Sequence, residues 1–253
     1  MKIRHTVAAL LGASLLNVSI GVAAVSPDLF AGMKARNIGP AGMSGRIASV
    51  DSVAANPKTI VVGAASGGVW RSDNGGLTWT PLFDDQPVHS IGAVAINQTN
   101  PDIIWVGTGE GATRNSASIG DGMYRSTDGG RSWVKIGLDA AERINRIALH
   151  PSDPDTAYVS ALGPLWSDGG DRGVFRTTDG GKSWTKILAG PNERTGATDI
   201  KMDPRNPKKL FAALWEFRRW PYRFESGGAG SGLFRSIDGG DTWSRITAED
   251  GLP

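Results

Sequence analysis

From position 46 onward, apolar residues come in short runs bounded by Gly, Pro, Asn and Asp. Such runs, rich in β-branched and aromatic residues, predict strands. The strands fall into an order that repeats four times. A first strand reads Arg46-Ile47-Ala48-Ser49-Val50 and returns at 91–96, 146–149 and 198–202. A turn with proline follows, at Asn56-Pro57, Asn100-Pro101, Asp153-Pro154 and Asn206-Pro207. Proline cannot donate to a ladder, and Asn or Asp side chains close turns. A second strand occupies 59–62, 103–106, 157–159 and 210–213. A third ends in Val69-Trp70-Arg71, Met123-Tyr124-Arg125, Val174-Phe175-Arg176 and Leu233-Phe234-Arg235. A fourth runs over 78–82, 132–136, 183–188 and 242–246.

Between the third and fourth strands the same phrase recurs: RSDNGGLTW, RSTDGGRSW, RTTDGGKSW and RSIDGGDTW. Its aspartates are taken as Asp73, Asp128, Asp179 and Asp238, spaced by 55, 51 and 59 residues. In the hairpin turn the carboxylate can accept backbone N–H groups, and the paired glycines allow positive φ. Trp79, Trp133, Trp184 and Trp243 can pack back between strands. All eight residues are expected to be structural, because catalysis needs convergent groups rather than one exposed carboxylate per repeat. Repeats of this length built from four antiparallel strands predict an all-β fold, a β-propeller with about four blades present. The units lie near 46–84, 89–138, 144–189 and 197–248. A four-stranded meander cannot bury both faces alone, so each blade must be covered by its neighbours.

The start of the chain has a different pattern. Lys2 and Arg4 precede an apolar run, and Val22-Ala23-Ala24 fits a small-x-small cleavage site. Residues 1–24 therefore read as a signal peptide, with 25–253 as the propeller module. The apolar run is short for a bilayer span, so the expectation is secretion to the periplasm or outside the cell.

Composition then removes whole classes of chemistry. Without Lys2 and Arg4, 25 basic residues face 25 acidic ones, and no clustered basic surface for nucleic acid is evident. The absence of cysteine excludes disulfides, thiolate metal sites and a cysteine nucleophile. Three histidines, His5, His89 and His150, make a multi-histidine metal site improbable, so neither metal nor cofactor is expected.

The repeated phrase resembles the Asp-box, or bacterial neuraminidase, repeat. With the stretches 35–47 and 67–85, the chain is most similar to large secreted bacterial proteins of the sortilin-like and xyloglucanase-like kinds. Those relatives are much longer, and the resemblance implies an N-terminal piece of a larger propeller. It also implies a test of hydrolysis. In the xyloglucanases a catalytic aspartate precedes the first Asp box. The matching stretch here is 63–71, with Ala65 where the carboxylate would stand, and a methyl group moves no protons. The resemblance puts the second catalytic carboxylate beyond this chain. A sialidase resemblance offers only Arg46 as one member of an arginine triad.

In a propeller the proline turns and Asp boxes share one face, while second-to-third connections occupy the other. Those connections vary here, and variable loops on a rigid scaffold carry function. The fourth is the richest, WEFRRWPYRFESGGAGSG over 215–232, and is expected to be a long loop. Its aromatics suit sugar rings or a protein interface, and equally suit burial against a further blade. Trp166, Trp215, Trp220, Tyr222, Arg218, Arg219, Glu110 and Arg114 are the ligand-binding candidates. Asp168, Asp171 and Arg172 read as solvated loop charges. The leading expectation is a module that binds polysaccharide or a protein segment. The alternatives are a xyloglucanase-like hydrolase with its carboxylates elsewhere, or a sortilin-like sorting or assembly factor.

Overall fold

Each predicted repeat folds as one antiparallel sheet in the computed structural model, which describes Ser26, Gly32 and residues 46–251. The expected signal segment lies outside the described residues. The chain divides into two units, Met1–Ala35 and Arg36–Pro253, and the architecture below belongs to the second. Blade 1 orders β1 (Ile47–Val53), β2 (Asn56–Ala64), β3 (Gly68–Ser72) and β4 (Thr80–Pro81). Blade 2 orders β5 (Ile91–Ile96), β6 (Ile104–Thr108), β7 (Met123–Ser126) and β8 (Val134–Lys135). Blade 3 orders β9 (Ile144–Leu149), β10 (Ala157–Ala161), β11 (Gly173–Thr177) and β12 (Thr185–Leu188). Blade 4 has β13 (Thr195–Asp203), β14 (Asn206–Trp220), β16 (Gly232–Ser236) and β17 (Ser244–Ile246), with β15 (Arg223–Ser226) paired to the far end of β14. The protein is an all-β chain of propeller blades, and its only described helical turns are short 3₁₀ segments at Asp139–Ala141 and Ala248–Asp250.

Side-chain alternation explains how the blades stack. Successive residues of a strand point to opposite sheet faces. In the third strands, Val69, Met123 and Val174 point toward the following blade, whereas Tyr124, Phe175 and Phe234 point back toward the preceding one. Three apolar seams result. Val61, Phe83, Ile91, Ile104 and Tyr124 fill the first; Trp105, Met123, Ile144, Val159 and Phe175 the second; Tyr158, Val174, Ile200, Leu210 and Leu214 the third. At several glycines the next blade leaves no room for a side chain, Gly63 and Gly107 among them. A Cβ on Gly63 would stand 2.5 Å from Ile91 Cγ2, and one on Gly107 2.3 Å from Ile144 Cγ2.

Two local expectations need correcting. In blades 1 and 4 the turn falls earlier than the proline. Pro57 and Pro207 sit in the opening residues of β2 and β14, a position where a missing N–H costs no ladder bond. The long connection of blade 4 is not a loop. β14 continues to Trp220, turns at Pro221-Tyr222 and returns as β15, making a two-stranded arm.

Candidate functional site

The repeated turns form one rim. In blade 2 the Ser132 N–H donates to Asp128 Oδ1 at 2.9 Å and the Ser132 hydroxyl to Oδ2 at 2.6 Å. The Ser126 hydroxyl donates to Asp128 Oδ1 and its oxygen accepts the Gly130 N–H. Gly129 and Gly130 have φ of 78° and 91°, the left-handed region where a side chain would be strained. Asp179 and Asp238 make the same bonds in blades 3 and 4. These bonds, the Ser132 hydroxyl first among them, hold the Asp128 carboxyl well below the ordinary carboxylate range. Ser183 does so for Asp179 and Thr242 for Asp238.

Blade 1 departs from the expected assignment. Asn74, not Asp73, occupies the turn. Its Oδ1 accepts the Thr78 N–H at 2.9 Å, and its amide donates to the Thr78 hydroxyl. Asp73 instead accepts from Arg71 Nε and from the Thr59 hydroxyl. The reason is register: Asn74 and Asp128 stand at the same distance before Trp79 and Trp133. The turns also clasp neighbouring blades. Arg71 donates to the Pro101 carbonyl, Arg125 to Pro154 O and Asp155, and Arg176 to Gly239 O and Asp241. Trp133 Nε1 donates back to Leu82 O at 2.7 Å, and Trp184 Nε1 to Ile136 O at 2.6 Å. Every box carboxylate is thus used locally, which leaves this rim without convergent free groups.

The other rim gathers non-repeated parts. The arm alternates its side chains. Trp215, Phe217 and Arg219 share one face, and Arg218 and Trp220 the other. Phe217 is buried with Leu162 and Leu165 of blade 3 and stacks on Trp215, centroids 4.8 Å apart. Arg219 reaches blade 2 by donating to Thr113 O at 3.0 Å and to Asn115 Oδ1, and its guanidinium lies 6.0 Å from the Trp166 ring and 5.3 Å from Phe224. Asp168 in the blade 3 loop pairs with Arg194 and Arg218, each at 3.3 Å. Trp166, Trp215 and Arg219 therefore gather on one face of the arm, Arg218 and Trp220 on the other, with Tyr222 at its tip. Tyr222 is 86 % exposed at its tip and Trp166 39 %. Arg114 is exposed on the same blade 2 loop.

Arg172 corrects the reading of a solvated charge. It is buried beneath the arm and donates to the carbonyls of Leu162, Pro164, Ser167 and Gly169, with Phe217 over its guanidinium. Burial pulls its pKa down to about 10, so it stays charged at neutral pH. Sequence reasoning had no signal for this latch, because the carbonyls converge only after the loop folds.

Glu110 is also not on the rim surface. It is buried in the wall of a cavity of about 310 Å³ near the axis, lined with Arg46, Ala65, Asn145, Arg146 and Thr198 among others. Arg46 Nε and Nη2 donate to its two carboxylate oxygens at 2.7 and 2.5 Å. Ala65 thus faces the cavity as a methyl group, and Glu110, the one carboxylate among its described lining residues, is held in a two-point ion pair. The cavity can accept polar groups of a ligand.

Comparison with known proteins now adds the lineage. The model of the Sortilin-Vps10 family, described as sortilin, neurotensin receptor 3, matches residues 121–251, just over half of the chain. The chain belongs to the Sortilin-Vps10 family. Within that family setting it is also 27 % identical over 219 residues to a xyloglucanase of Paenibacillus sp, covering 78 % of this chain and 20 % of that protein. A vacuolar protein sorting/targeting protein 10 of Sordaria macrospora is 28 % identical over 102 residues, 38 % of this chain and 6 % of that one. The crystal structure of the GH74 enzyme of Niastella koreensis superposes with a TM-score of 0.57 at 25 % identity, over 78 % of this chain and 28 % of that chain. The chain thus spans about a fifth of the length of the xyloglucanase it matches.

Proposed function

We propose that this chain is a secreted polysaccharide-binding propeller module that does not itself cleave its ligand. The observation that carries this is the contrast on the non-repeated rim. Aromatic rings stand exposed there, with arginines around them, while the axial cavity presents Ala65 and an already paired Glu110. Sugar rings stack their C–H faces on aromatic side chains. Hydrolysis needs two carboxyl groups flanking one bond, one of them able to donate a proton. Similarity to xyloglucanases over most of the chain supports a polysaccharide over a peptide. Activity of the kind those relatives are named for would require carboxylates from outside these residues.

The reading is tested with the full chain on immobilised β-glucan and xyloglucan. Retention, weakened at least about tenfold in the double variant Trp166→Ala/Tyr222→Ala, supports it. Release of reducing ends by the chain alone would overturn the non-cleaving half. Retention of peptides but of no glycan would favour the sorting-factor alternative, for which the Sortilin-Vps10 match is the supporting observation.

A further inference from the structure

We infer that the β14–β15 arm reads charge, and that the polysaccharide it takes carries carboxylates, as uronic-acid units do. This deepens the glycan-binding reading and rests on it. Trp220 stands in the ladder pair next to the arm's turn, opposite Arg223. Its ring is not an open platform, because the guanidiniums of Arg218, Arg194 and Arg223 stand 5.2, 5.5 and 5.6 Å from its centroid. A flat neutral sugar cannot stack where arginines already sit. The ring instead holds the arginines in place by cation–π attraction, which pre-organises them and lowers the entropy lost when they bind.

Charge counting points the same way. Three guanidiniums, of Arg194, Arg218 and Arg223, stand around Trp220, and a fourth, of Arg219, lies by Phe224 on the arm's other face. Two carboxylates answer them: Asp168 pairs with Arg194 and Arg218, and Glu225 with Arg194 and Arg223. Glu216, also on β14, is used locally by the Gly230 N–H. Arg219 makes no ion pair with a described carboxylate and bonds only neutral oxygens of Thr113 and Asn115. The surface therefore has more strong donors than acceptors. Guanidinium forks match carboxylates in shape and in charge. The exposed rings of Trp166 and Phe224 beside Arg219, and of Tyr222 at the tip of the arm, supply the stacking that a sugar acid needs and a bare anion does not.

Glu225 is the internal competitor. It lies across from Arg218 in the ladder and engages two of the arginines. A ligand carboxylate would take over the role it plays. That gives two variants with opposite expected signs, a pattern that misfolding cannot imitate. Glu225→Gln frees guanidiniums and is expected to tighten binding to polygalacturonate about threefold. Arg223→Gln removes an exposed charge and is expected to weaken it about threefold, both effects shrinking as salt rises.

Affinity electrophoresis of the full chain in gels containing polygalacturonate, neutral xyloglucan or poly-glutamate decides the matter. Salt-sensitive retardation by polygalacturonate above the other two, with the opposed shifts of the two variants, is the expected result. Equal or stronger retardation by xyloglucan overturns this inference and leaves the glycan-binding reading standing. Equal retardation by poly-glutamate overturns the sugar-acid assignment. Variants that both leave mobility unchanged overturn the role of the arm, and retardation by no glycan sinks both readings.

Discussion

The two rims of this propeller are built from the same strands and solve different problems. On the Asp-box rim four turns share one set of local bonds, and each hydrogen-bond partner of the carboxylate or amide lies within four residues of it. On the other rim no two connections match, and its bonds occur once each, Arg219 to Thr113 and Arg218 to Asp168 among them. Local bonds can be copied from blade to blade because they need nothing from the neighbours. Bonds made once are particular to one place, so this is the rim where a ligand-specific surface can arise without disturbing the repeat. The difference also predicts how each rim fails.

The largest effect is expected at Arg172. Arg172→Ala removes the donors to four loop carbonyls and the cation over Phe217. Hydrogen bonds to charged groups are worth about 1.5–3 kcal/mol each and do not simply add, so a loss of about 4 kcal/mol is expected. Hydrogen exchange should rise at 163–172 and along the arm while the Asp-box turns stay protected. Equal loosening of both rims would break the comparison.

Next come the tryptophans, which separate seam from turn. Trp184 donates to Ile136 O across a seam and sits edge-on to Trp105, centroids 6.3 Å apart. Trp79 ends the same phrase in blade 1 but is 39 % exposed beside a cavity of about 640 Å³. Trp184→Ala should cost about 3 kcal/mol and Trp79→Ala less than about 1 kcal/mol, read as urea midpoints. Similar losses would mean that the turn, and not the seam, uses the ring. Gly63→Ala, with its Cβ forced onto Ile91, should fall between them at about 2 kcal/mol.

The same division explains what could be read from the sequence. Strand order and blade number were legible because alternation and turn residues are local signals. The slip in blade 1 came from matching aspartate to aspartate; matching from Trp79 backwards lands on Asn74, the residue that makes the bonds. The arm carried a readable signal too, since Trp215, Phe217 and Arg219 alternate with Glu216, Arg218 and Trp220 ahead of a Pro-Tyr turn. Its length and the glycines after it suggested a loop. Gathering Trp166 with Arg219 was legible only as a shared face. The pairing of Glu110 with Arg46 and the burial of Arg172 were not legible at all, because the first joins residues 64 apart and the second depends on how the 162–169 carbonyls converge once the loop folds.

The smallest effect, and the sharpest probe of the repeated rim, is its response to acid. Asp128, Asp179 and Asp238 have folded pKa values lowered by their Ser or Thr partners, while an unfolded carboxyl titrates near 3.8. A lowered folded pKa means that the unfolded chain takes up protons first as the pH falls. The stabilisation is therefore complete above the unfolded value and is lost progressively below it. Blade 1 makes the same turn with Asn74, whose amide does not titrate. Asn74→Asp should steepen the loss of melting temperature between about pH 4 and pH 2, and Asp128→Asn should flatten it, each by a small step because the groups are solvent-exposed. Melting curves across that range give the answer. If Asp128→Asn melts with an unchanged acid slope, the box carboxylates do not act through their charge, and the local-bond account of this rim reduces to geometry alone.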